Sequence, residues 1–365
     1  MKDFCQLIGS STPDGREAGA KWDNRNVANN NDVDVQKLVS YFIQYHRTLL
    51  NKHDMGGILV SSATSANFRA LELARNTSGK NKVLCSNLSH SSIADACSSL
   101  GLAPIVLDAH PGLKYQVDDK QLSNAISNHG NDIAAVVSTF GTTQLGNIED
   151  LAERDSIKEL RANDVWLHID AAFGGYSASL SSHINTEIPD SDSITIDPYK
   201  FIGKPGVALL LVDKEKTPKV SIPYYSHSHF TLNTTLSAGP VAAWYQTLID
   251  CGDYVMQFMA DECIRIAYIA GEQAKENNCK LVNPVKLSIA PVQLGSRQQA
   301  NYVHDKLLSE GFNVGKIHIE GRDYVTDGLR IVITPKVSPE VQAGSALEVA
   351  SRISRLSSKF SQAFL

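Results

Sequence analysis

Short apolar runs alternate with helix-like segments between residues 56 and 212, and this alternation constrains the fold more than any other feature. Strands are predicted at residues 58–61, 83–86, 104–107, 133–138, 165–169, 193–196 and 207–212. Helical patterns fill the gaps, for example at residues 66–75 and 92–100. Because strands that alternate with helices form parallel sheets covered on both faces, the sequence predicts an α/β fold with a mostly parallel sheet.

The chain on either side of this region has a different pattern. Residues 1–31 are rich in Gly, Ser, Asn and charge, which predicts an irregular arm, and a helix is predicted at residues 32–50. After Ala238 a long helical stretch precedes a strand, a helix, a strand and a terminal helix. These elements are predicted at residues 281–291, 296–310, 314–319 and 328–334, with the terminal helix after them. The predicted parts are an N-terminal arm and helix, a large domain and a smaller α+β domain, at residues 1–50, 51–250 and 251–365.

The composition limits the class of protein. A chain of 365 residues, 42% hydrophobic and 20% charged, is long enough for two domains with buried cores. The net charge is −5 and no basic run is interleaved with aromatic residues, so nucleic acid is not an expected partner. No apolar run approaches the roughly 18 residues that a membrane helix needs, and the amino terminus lacks the apolar core of a signal peptide. A cytoplasmic protein with no membrane partner is expected.

Two of the predicted strands each precede a charged residue. Asp170 follows residues 165–169, and Lys200 follows residues 193–196 after a short segment. Ligands of α/β sheets bind at the carboxyl ends of strands. A lysine and a carboxylate at this edge suit pyridoxal phosphate (PLP): the lysine forms a Schiff base, and the carboxylate holds a proton on the pyridine nitrogen. Ala172 is small enough for a flat ring to lie against the backbone.

Two motifs carry a family resemblance. Residues 168–175, His-Ile-Asp-Ala-Ala-Phe-Gly-Gly, and residues 192–200, Asp-Ser-Ile-Thr-Ile-Asp-Pro-Tyr-Lys, resemble the core signature of the group II PLP-dependent amino-acid decarboxylases. Within that group the chain is most similar to the short archaeal-type tyrosine/aspartate decarboxylases. By this resemblance Asp197, Tyr199 and Lys200 contact the cofactor.

The resemblance also implies the architecture and the reaction. The fold is expected to be fold type I of the aspartate aminotransferase superfamily, in a homodimer with active sites at the interface. The expected reaction is decarboxylation of an aromatic or acidic L-amino acid to its amine, through a Schiff base on Lys200.

A phosphate site is predicted at residues 61–67, Ser-Ser-Ala-Thr-Ser-Ala-Asn, where a strand meets the start of a helix. Backbone N–H groups and hydroxyls at a helix amino terminus bind anions, so Thr64 and Ser65 are candidates. The segment corresponds to the Gly-Gly-Thr-Glu-Ala-Asn motif of the decarboxylases. An ordinary helix N-cap is the alternative that this segment leaves open.

Two further segments carry candidate cofactor contacts. Residues 89–92, Ser-His-Ser-Ser, match a family region whose histidine stacks on the cofactor ring, which makes His90 a candidate catalytic and cofactor-binding residue. Residues 140–146, Phe-Gly-Thr-Thr-Gln-Leu-Gly, resemble a family turn, and Thr142 is the candidate partner of the ring hydroxyl. A structural histidine and an ordinary strand-to-helix turn are the alternatives.

Candidate substrate-side residues come later in the chain. Residues 222–232 resemble the mobile loop that carries a tyrosine proton donor in the family, so Tyr224 or Tyr225 is the candidate donor, with aromatic packing as the alternative. Arg330, in a strand that matches a family segment, is the candidate ligand of the substrate α-carboxylate because a guanidinium binds a carboxylate through two parallel hydrogen bonds. A surface arginine is the alternative.

Two departures from the family pattern keep other reactions open. Tyr199 stands where the decarboxylases usually have histidine, and Leu236 stands where arginine is common. A carbon–carbon or carbon–sulfur lyase and an aminotransferase on the same fold are therefore alternatives, because fold and cofactor do not fix the reaction. A non-catalytic binding subunit with the same fold is a third alternative.

A metal site is not expected. His168 and Asp170, or His227 and His229, would share a strand face, but no third ligand accompanies either pair.

Overall fold

The structure is a computed structural model that describes residues 13–29, 32–216, 235–335 and 339–364. Its strands are β1 Met55–Val60, β2 Lys82–Ser86, β3 Ala103–Leu107, β4 Ala109–His110, β5 Gln116–Val117, β6 Ile133–Thr139, β7 Trp166–Asp170, β8 Ser193–Ile196, β9 Ala208–Asp213, β10 Ile289–Leu294, β11 Gly315–Glu320 and β12 Val325–Val332. Its helices are α1 Pro13–Trp22, α2 Val33–Leu49, α3 Ala63–Ser78, α4 Ser91–Leu100, α5 Asp119–His129, α6 Asp155–Ala162, α7 Gly174–Leu180, α8 Gly239–Glu276, α9 Arg297–Ser309 and α10 Pro339–Phe364. None of the described helices is both long and apolar enough to cross a bilayer.

A seven-stranded sheet with the order β1-β9-β8-β7-β6-β2-β3 forms the larger part of the molecule. The pairs from β3 to β8 are parallel, and β9 is antiparallel to both of its neighbours. Every residue of β6 and β7 is buried, as expected for strands covered by helices on both faces. The prediction of an α/β fold with a mostly parallel sheet is confirmed.

The seven strands predicted for this sheet are all present, each within three residues of its predicted bounds. The helix predicted at residues 32–50 is α2, and the Asp32 carboxylate caps it by accepting a hydrogen bond from the Val35 N–H at 3.2 Å. Because β2, β6, β7 and β8 run in the same direction, the carboxyl ends of these strands meet at one edge of the sheet.

A three-stranded antiparallel sheet with the order β10-β12-β11 forms the smaller part. One face, which includes Leu329 and Ile331, packs against α8, α9 and α10. The opposite face, which includes Ile317 and Ile319, packs on the large part. The helix and strands predicted at residues 296–310, 314–319 and 328–334 are confirmed with shifted ends. The predicted domain bounds stay a prediction.

The strand predicted at residues 281–291 is mostly wrong. Strand β10 begins at Ile289, and before it the chain makes only an isolated bridge between Leu281 and Val292. The intervening residues leave the sheet, and Leu287 packs instead in the core of the large part. Before β10, apolar residues such as Leu287 that pack in the core of the large part have the same sequence pattern as residues of a strand.

The prediction that residues 1–31 form an irregular arm is wrong at α1. This helix packs along α8, where a Cβ atom on Gly19 would lie 2.9 Å from the Ala243 Cβ. Most helical stability in proteins comes from tertiary packing rather than from local propensity. The polar, glycine-containing sequence of α1 therefore gave little local signal of a helix.

Candidate active site

Asp170 ends β7 at the edge where the parallel strands terminate. Its carboxylate is 4% exposed and accepts two hydrogen bonds, from Asn67 Nδ2 to Oδ2 at 2.9 Å and from the Ala172 N–H to Oδ1 at 3.1 Å. Two N–H donors on different oxygens fix the plane of the carboxylate. Ala172, expected beside the cofactor ring, is thus one of the two groups that orient Asp170.

Asn67 connects this carboxylate to two other elements. Its Nδ2 also donates to Ser92 Oγ on α4 at 2.9 Å, and its Oδ1 lies 3.1 Å from His168 Nε2 on β7. The amide is 1% exposed, so these contacts satisfy it without water. Sequence reasoning assigned no role to Asn67 or Ser92, although both lie inside motifs that it quoted.

His168 is fully buried beneath Asp170. Its Nδ1 lies 2.8 Å from Ser193 Oγ, and burial lowers the pKa of the imidazole to about 4, so the ring is uncharged at neutral pH. Both ring nitrogens have protein partners, Asn67 and Ser193. Across the described ranges, no group of three or more His, Cys, Asp or Glu is placed to hold a metal ion.

His90 lies at the amino terminus of α4 and caps that helix. Its Nδ1 accepts a hydrogen bond from the Ser92 N–H at 3.2 Å and lies 2.9 Å from Ser92 Oγ. The structure therefore connects His90 to Asp170 through two side chains, Ser92 and Asn67. These contacts bring together candidates that are 80 residues apart in the chain.

Lys200 lies on a short 3-10 helix, Pro198–Lys200, that follows β8. Asp197 caps this helix by accepting a hydrogen bond from the Tyr199 N–H at 3.2 Å. Lys200 is half-buried and Tyr199 is 36% exposed. Asp197 and Tyr199, expected to contact the cofactor, thus form the turn that presents the lysine.

A buried cluster supports this turn from below. The Phe201 ring stacks on the Tyr176 ring with centroids 5.4 Å apart. The Tyr176 hydroxyl accepts a hydrogen bond from Trp244 Nε1 at 2.9 Å and contacts His46 Nε2. Burial lowers the pKa of His46 to about 4, so this imidazole is also uncharged. The residue after the lysine is therefore anchored in the core of the protein.

The start of α3 combines hydroxyls with free backbone donors. Ser62 is the N-cap, and its Oγ accepts a hydrogen bond from the Ser65 N–H at 3.2 Å. Ser65 Oγ lies 3.2 Å from Ser61 Oγ, and Thr64 is exposed. The first N–H groups of a helix have no intrahelical acceptor, so those of Ala63 and Thr64 are available to an anion. The N-cap, which the sequence left open as the alternative role of this segment, is therefore Ser62.

Thr142 lies inside its turn. The side chain is fully buried, and its Oγ1 accepts a hydrogen bond from the Asn147 N–H at 3.0 Å. Gly141, at φ +102°, lets the turn pack against α7, since a Cβ atom there would lie 2.7 Å from the Gly174 nitrogen. Thr142 as a cofactor contact stays a prediction, while its observed hydrogen bond is structural.

Arg330 lies on β12, on the face of the small sheet that is directed toward the large part. Thr326, four residues earlier on the same face, contacts the Tyr115 hydroxyl at 2.7 Å. Arg330 Nε is buried without a hydrogen-bond partner among the described residues, and burial lowers the pKa of the guanidinium. Gly315, opposite Arg330 on β11, has no side chain, and a Cβ atom there would overlap the guanidinium.

Two sequence candidates and one departure remain. Tyr224 and Tyr225 lie outside the described residues. Leu236, which replaces a common arginine, is 6% exposed and belongs to the main hydrophobic core. Its backbone hydrogen-bonds with Val27, so this position serves packing.

An oriented carboxylate and a lysine at the carboxyl edge of a mostly parallel sheet define the class of fold type I PLP enzymes. Residues 55–240 match the pyridoxal-dependent decarboxylase conserved domain, about half of the chain. The chain belongs to the PLP-dependent decarboxylase family, so it is a carboxy-lyase and PLP is its cofactor.

Two curated relatives align over most of their length. The probable L-tyrosine/L-aspartate decarboxylase of Methanopyrus kandleri is 28% identical over 312 residues, 81% of this chain and 80% of the relative. The L-aspartate/L-glutamate decarboxylase of Pyrococcus horikoshii is 26% identical over 324 residues, 84% of this chain and 80% of the relative. The predicted resemblance to archaeal decarboxylases is confirmed.

Solved structures share the fold. The crystal structure of Oryza sativa TDC with PLP and tryptamine superposes with a TM-score of 0.80 at 15% identity, covering 96% of this chain and 82% of that chain. The prediction of fold type I is confirmed.

The residues present fit PLP. Asp170 presents a carboxylate whose two protein donors leave lone pairs for a pyridinium N–H. The start of α3 offers N–H groups and hydroxyls to a phosphate, and Lys200 offers a primary amine from the 3-10 helix that follows β8. These three groups match the nitrogen, phosphate and aldehyde of the cofactor.

Proposed function

We propose that this decarboxylase releases carbon dioxide from an aromatic or acidic L-amino acid and forms the corresponding amine. The named activities of the relatives support this substrate class, because they cover tyrosine, aspartate and glutamate. The observation that carries the proposal is Arg330, a half-buried arginine on the face of the small sheet that is directed toward the large part, whose buried Nε has no hydrogen-bond partner among the described residues.

Bound PLP supplies an electron sink for the charge left on the α-carbon when a carboxylate departs. Within the protein, Asp170 holds a proton at the pyridine nitrogen, and Asn67 and the Ala172 N–H keep its carboxylate in place. Lys200 would hold the cofactor through its side-chain amine. Thr64 and Ser65, with the first N–H groups of α3, bind the phosphate.

Further residues of the chain complete the cofactor site in this proposal. His90 packs against the ring, and Thr142 contacts the ring hydroxyl. Asp197 and Tyr199 hold the turn that presents Lys200.

Arg330 binds the amino-acid carboxylate through the two-pronged contact that a guanidinium makes with a carboxylate. A buried N–H without an acceptor is costly, so the unpaired Nε leaves the Arg330 side chain short of one hydrogen bond, and a substrate carboxylate offers acceptors to its guanidinium. Tyr224 or Tyr225 returns a proton to the α-carbon after carbon dioxide leaves.

We also propose a homodimer with its sites at the interface. This proposal follows the family resemblance, and Tyr41, Ile249 and Tyr254, which expose 45%, 55% and 81% of their surface, are candidate interface residues. Light scattering of the purified protein tests this state. A cytoplasmic location is proposed because the described cysteines are free thiols, which suit a reducing compartment.

The test is carbon dioxide release from a panel of L-amino acids by the purified protein with added PLP. The panel contains tyrosine, tryptophan, aspartate and glutamate, and Lys200→Ala is the blank. Lys158→Ala, which changes an exposed lysine, is the matched control and is expected to retain activity. Release from one or more substrates, absent in Lys200→Ala, supports the proposal and identifies the side chain.

Two results would contradict the proposal. A lysine-dependent chromophore without carbon dioxide release would favour a lyase that breaks a different bond, or an aminotransferase. A protein that takes up no PLP would favour a binding subunit.

A further inference from the structure

We propose that Asn67 and Ser92 are positioning residues that hold His90 in the tautomer with its proton on Nε2. The inference rests on the proposed function in one respect, that His90 and Asp170 face the cofactor. It assigns the donor and the acceptor of every hydrogen bond in the series His90, Ser92, Asn67 and Asp170. It also restricts the chemical role of His90.

The direction of the contacts at His90 follows from the backbone. A main-chain N–H only donates, so the 3.2 Å contact from the Ser92 nitrogen requires His90 Nδ1 to be an acceptor. A neutral imidazole with an accepting Nδ1 carries its proton on Nε2. Ser92 Oγ, 2.9 Å from Nδ1, donates its hydroxyl proton to the same nitrogen.

Asn67 leaves the Ser92 hydroxyl free to donate. The Asn67 Nδ2 group donates to Ser92 Oγ at 2.9 Å, so that oxygen already accepts a hydrogen bond and its own proton is available for His90. The Asp170 carboxylate only accepts, and this fixes which end of the Asn67 amide faces it. A flipped amide would place Oδ1 against a carboxylate oxygen.

The other side of Asn67 agrees with this orientation. Asn67 Oδ1 must accept from His168 Nε2, so the uncharged His168 has an accepting Nδ1. Ser193 donates to that nitrogen at 2.8 Å, and Trp166 Nε1 in turn donates to Ser193 Oγ at 2.8 Å. In this series of hydrogen bonds, which runs from Trp166 through Ser193, His168, Asn67 and Ser92 to His90, each donor faces an acceptor. The Asn67 orientation that Asp170 imposes is thus consistent with the tautomers of two histidines on different elements.

The consequence concerns the role of His90. With Nδ1 occupied by Ser92, only Nε2 is left to face a ligand, and it carries a proton. His90 therefore donates a hydrogen bond to a cofactor or substrate group and does not act there as a base. Asn67 and Ser92 act through His90 and Asp170 and touch no reacting atom themselves.

The test uses protein labelled with ¹⁵N in histidine and prepared without cofactor. Long-range ¹H–¹⁵N spectra at pH 8, above the ordinary imidazole pKa of about 6.5, report which ring nitrogen carries the proton. A spectrum of His90→Gln assigns the His90 signals by their loss. A single species with the proton on Nε2 is expected.

Two variants perturb the chain at different points. In Asn67→Asp two carboxyl groups face each other, so one of them takes up a proton. The new carboxyl still accepts the Ser92 hydroxyl proton, so only the Ser92 N–H donates to His90 Nδ1 and a share of the second tautomer is expected. Ser92→Ala removes the hydroxyl with little change in volume and is expected to give a smaller share of the second tautomer. Asn163→Asp, an exposed amide, is the control and should match the wild type.

The proposal is overturned by a wild-type His90 with its proton on Nδ1, or by unchanged tautomers in both variants when circular dichroism shows that they are folded. A failure of the proposed function gives a different result. In that case, added PLP produces no lysine-dependent chromophore, while the tautomer spectra still follow the expected pattern.

Discussion

The two charged groups of the candidate site, one on the large sheet and one on the small sheet, differ in how their hydrogen-bonding atoms are paired. On the large sheet, both oxygens of Asp170 have protein donors, and the surrounding polar side chains satisfy one another. On the small sheet, the buried Nε of Arg330 has no partner among the described residues. The fold fixes the first charge, and we propose that a substrate carboxylate binds the second.

This difference separates two physical tasks. A carboxylate that must polarise a cofactor benefits from fixed donors, because no reorganisation is then needed during the reaction. A guanidinium that must recognise a substrate benefits from a missing acceptor, because a ligand without a carboxylate leaves that cost in place. Substitutions in the two regions should therefore affect stability and activity in different proportions.

Asp170→Asn is expected to have the largest effect. The new amide nitrogen must face either Asn67 Nδ2 or the Ala172 N–H, and both are donors. Leaving one donor unpaired should lower the free energy of unfolding by about 1–3 kcal/mol. Loss of the oriented charge should lower kcat/KM by about 10²- to 10³-fold.

Urea unfolding of the cofactor-free protein and carbon dioxide release measure these two effects separately. Asp323→Asn, at an exposed carboxylate, is the control and should stay within about 0.5 kcal/mol of the wild type. An Asp170→Asn protein of unchanged stability would show that the carboxylate is not held as described.

Arg330→Gln is expected to have an intermediate effect on activity and almost none on stability. Loss of a charge-assisted contact worth about 1.5–3 kcal/mol should lower kcat/KM roughly 10- to 150-fold, mainly through KM. The free energy of unfolding should not fall, because Nε makes no hydrogen bond with the described residues. Steady-state kinetics and urea unfolding provide the measurements, with the exposed Arg355→Gln as control.

Binding of the product amine sharpens this prediction, since the amine has lost the α-carboxylate. Its inhibition constant should be the same in the wild type and in Arg330→Gln. Equal weakening of amino acid and amine would indicate that Arg330 contributes packing instead.

His168→Gln is expected to lower activity the least, and its deficit in stability relative to the wild type should shrink as the pH falls. The pKa of His168 is about 4 in the folded protein, below its ordinary value of 6.5. Its contribution to stability is therefore complete above pH 6.5 and is lost as the pH falls through 4, by on the order of 3 kcal/mol in total. The wild type should lose more stability than His168→Gln between pH 7 and pH 5.

Urea unfolding at each pH, without cofactor, tests this difference. His46 titrates in the same direction, whereas burial raises the pKa of Glu149 to about 7 and gives the opposite sign between pH 4.5 and 7. Both groups are present in both proteins, so they cancel in the comparison. Parallel stability curves would show that His168 is not buried in its neutral form.

Sequence patterns predicted the large sheet well, because buried parallel strands such as β6 are continuous apolar runs. They failed where stability comes from contacts with distant residues. Helix α1 is held by α8, and the apolar residues before β10 serve a different core. The local sequence pattern shows neither the contact of α1 with α8 nor the core that the residues before β10 join.

The candidate site divides in the same way. The positions of Asp170 and Lys200 followed from strand ends and from motifs that the family shares. The role of Asn67 depends on Ser92 of α4 and Asp170 of β7, which are 25 and 103 residues away in the chain. The position of Asn67 at the end of the predicted phosphate segment could have drawn attention to it, but only the fold shows what it contacts.

Gly315 has a consequence for how this sequence can diverge. A side chain at position 315 overlaps the Arg330 guanidinium across the paired strands, so the two positions cannot change independently. Alanine at 315 requires the Arg330 side chain to move or to be replaced by a smaller residue. A mutation at 315 therefore displaces the proposed carboxylate-binding group without changing it. The glycine on one strand thus provides the space that a long side chain on the next strand occupies.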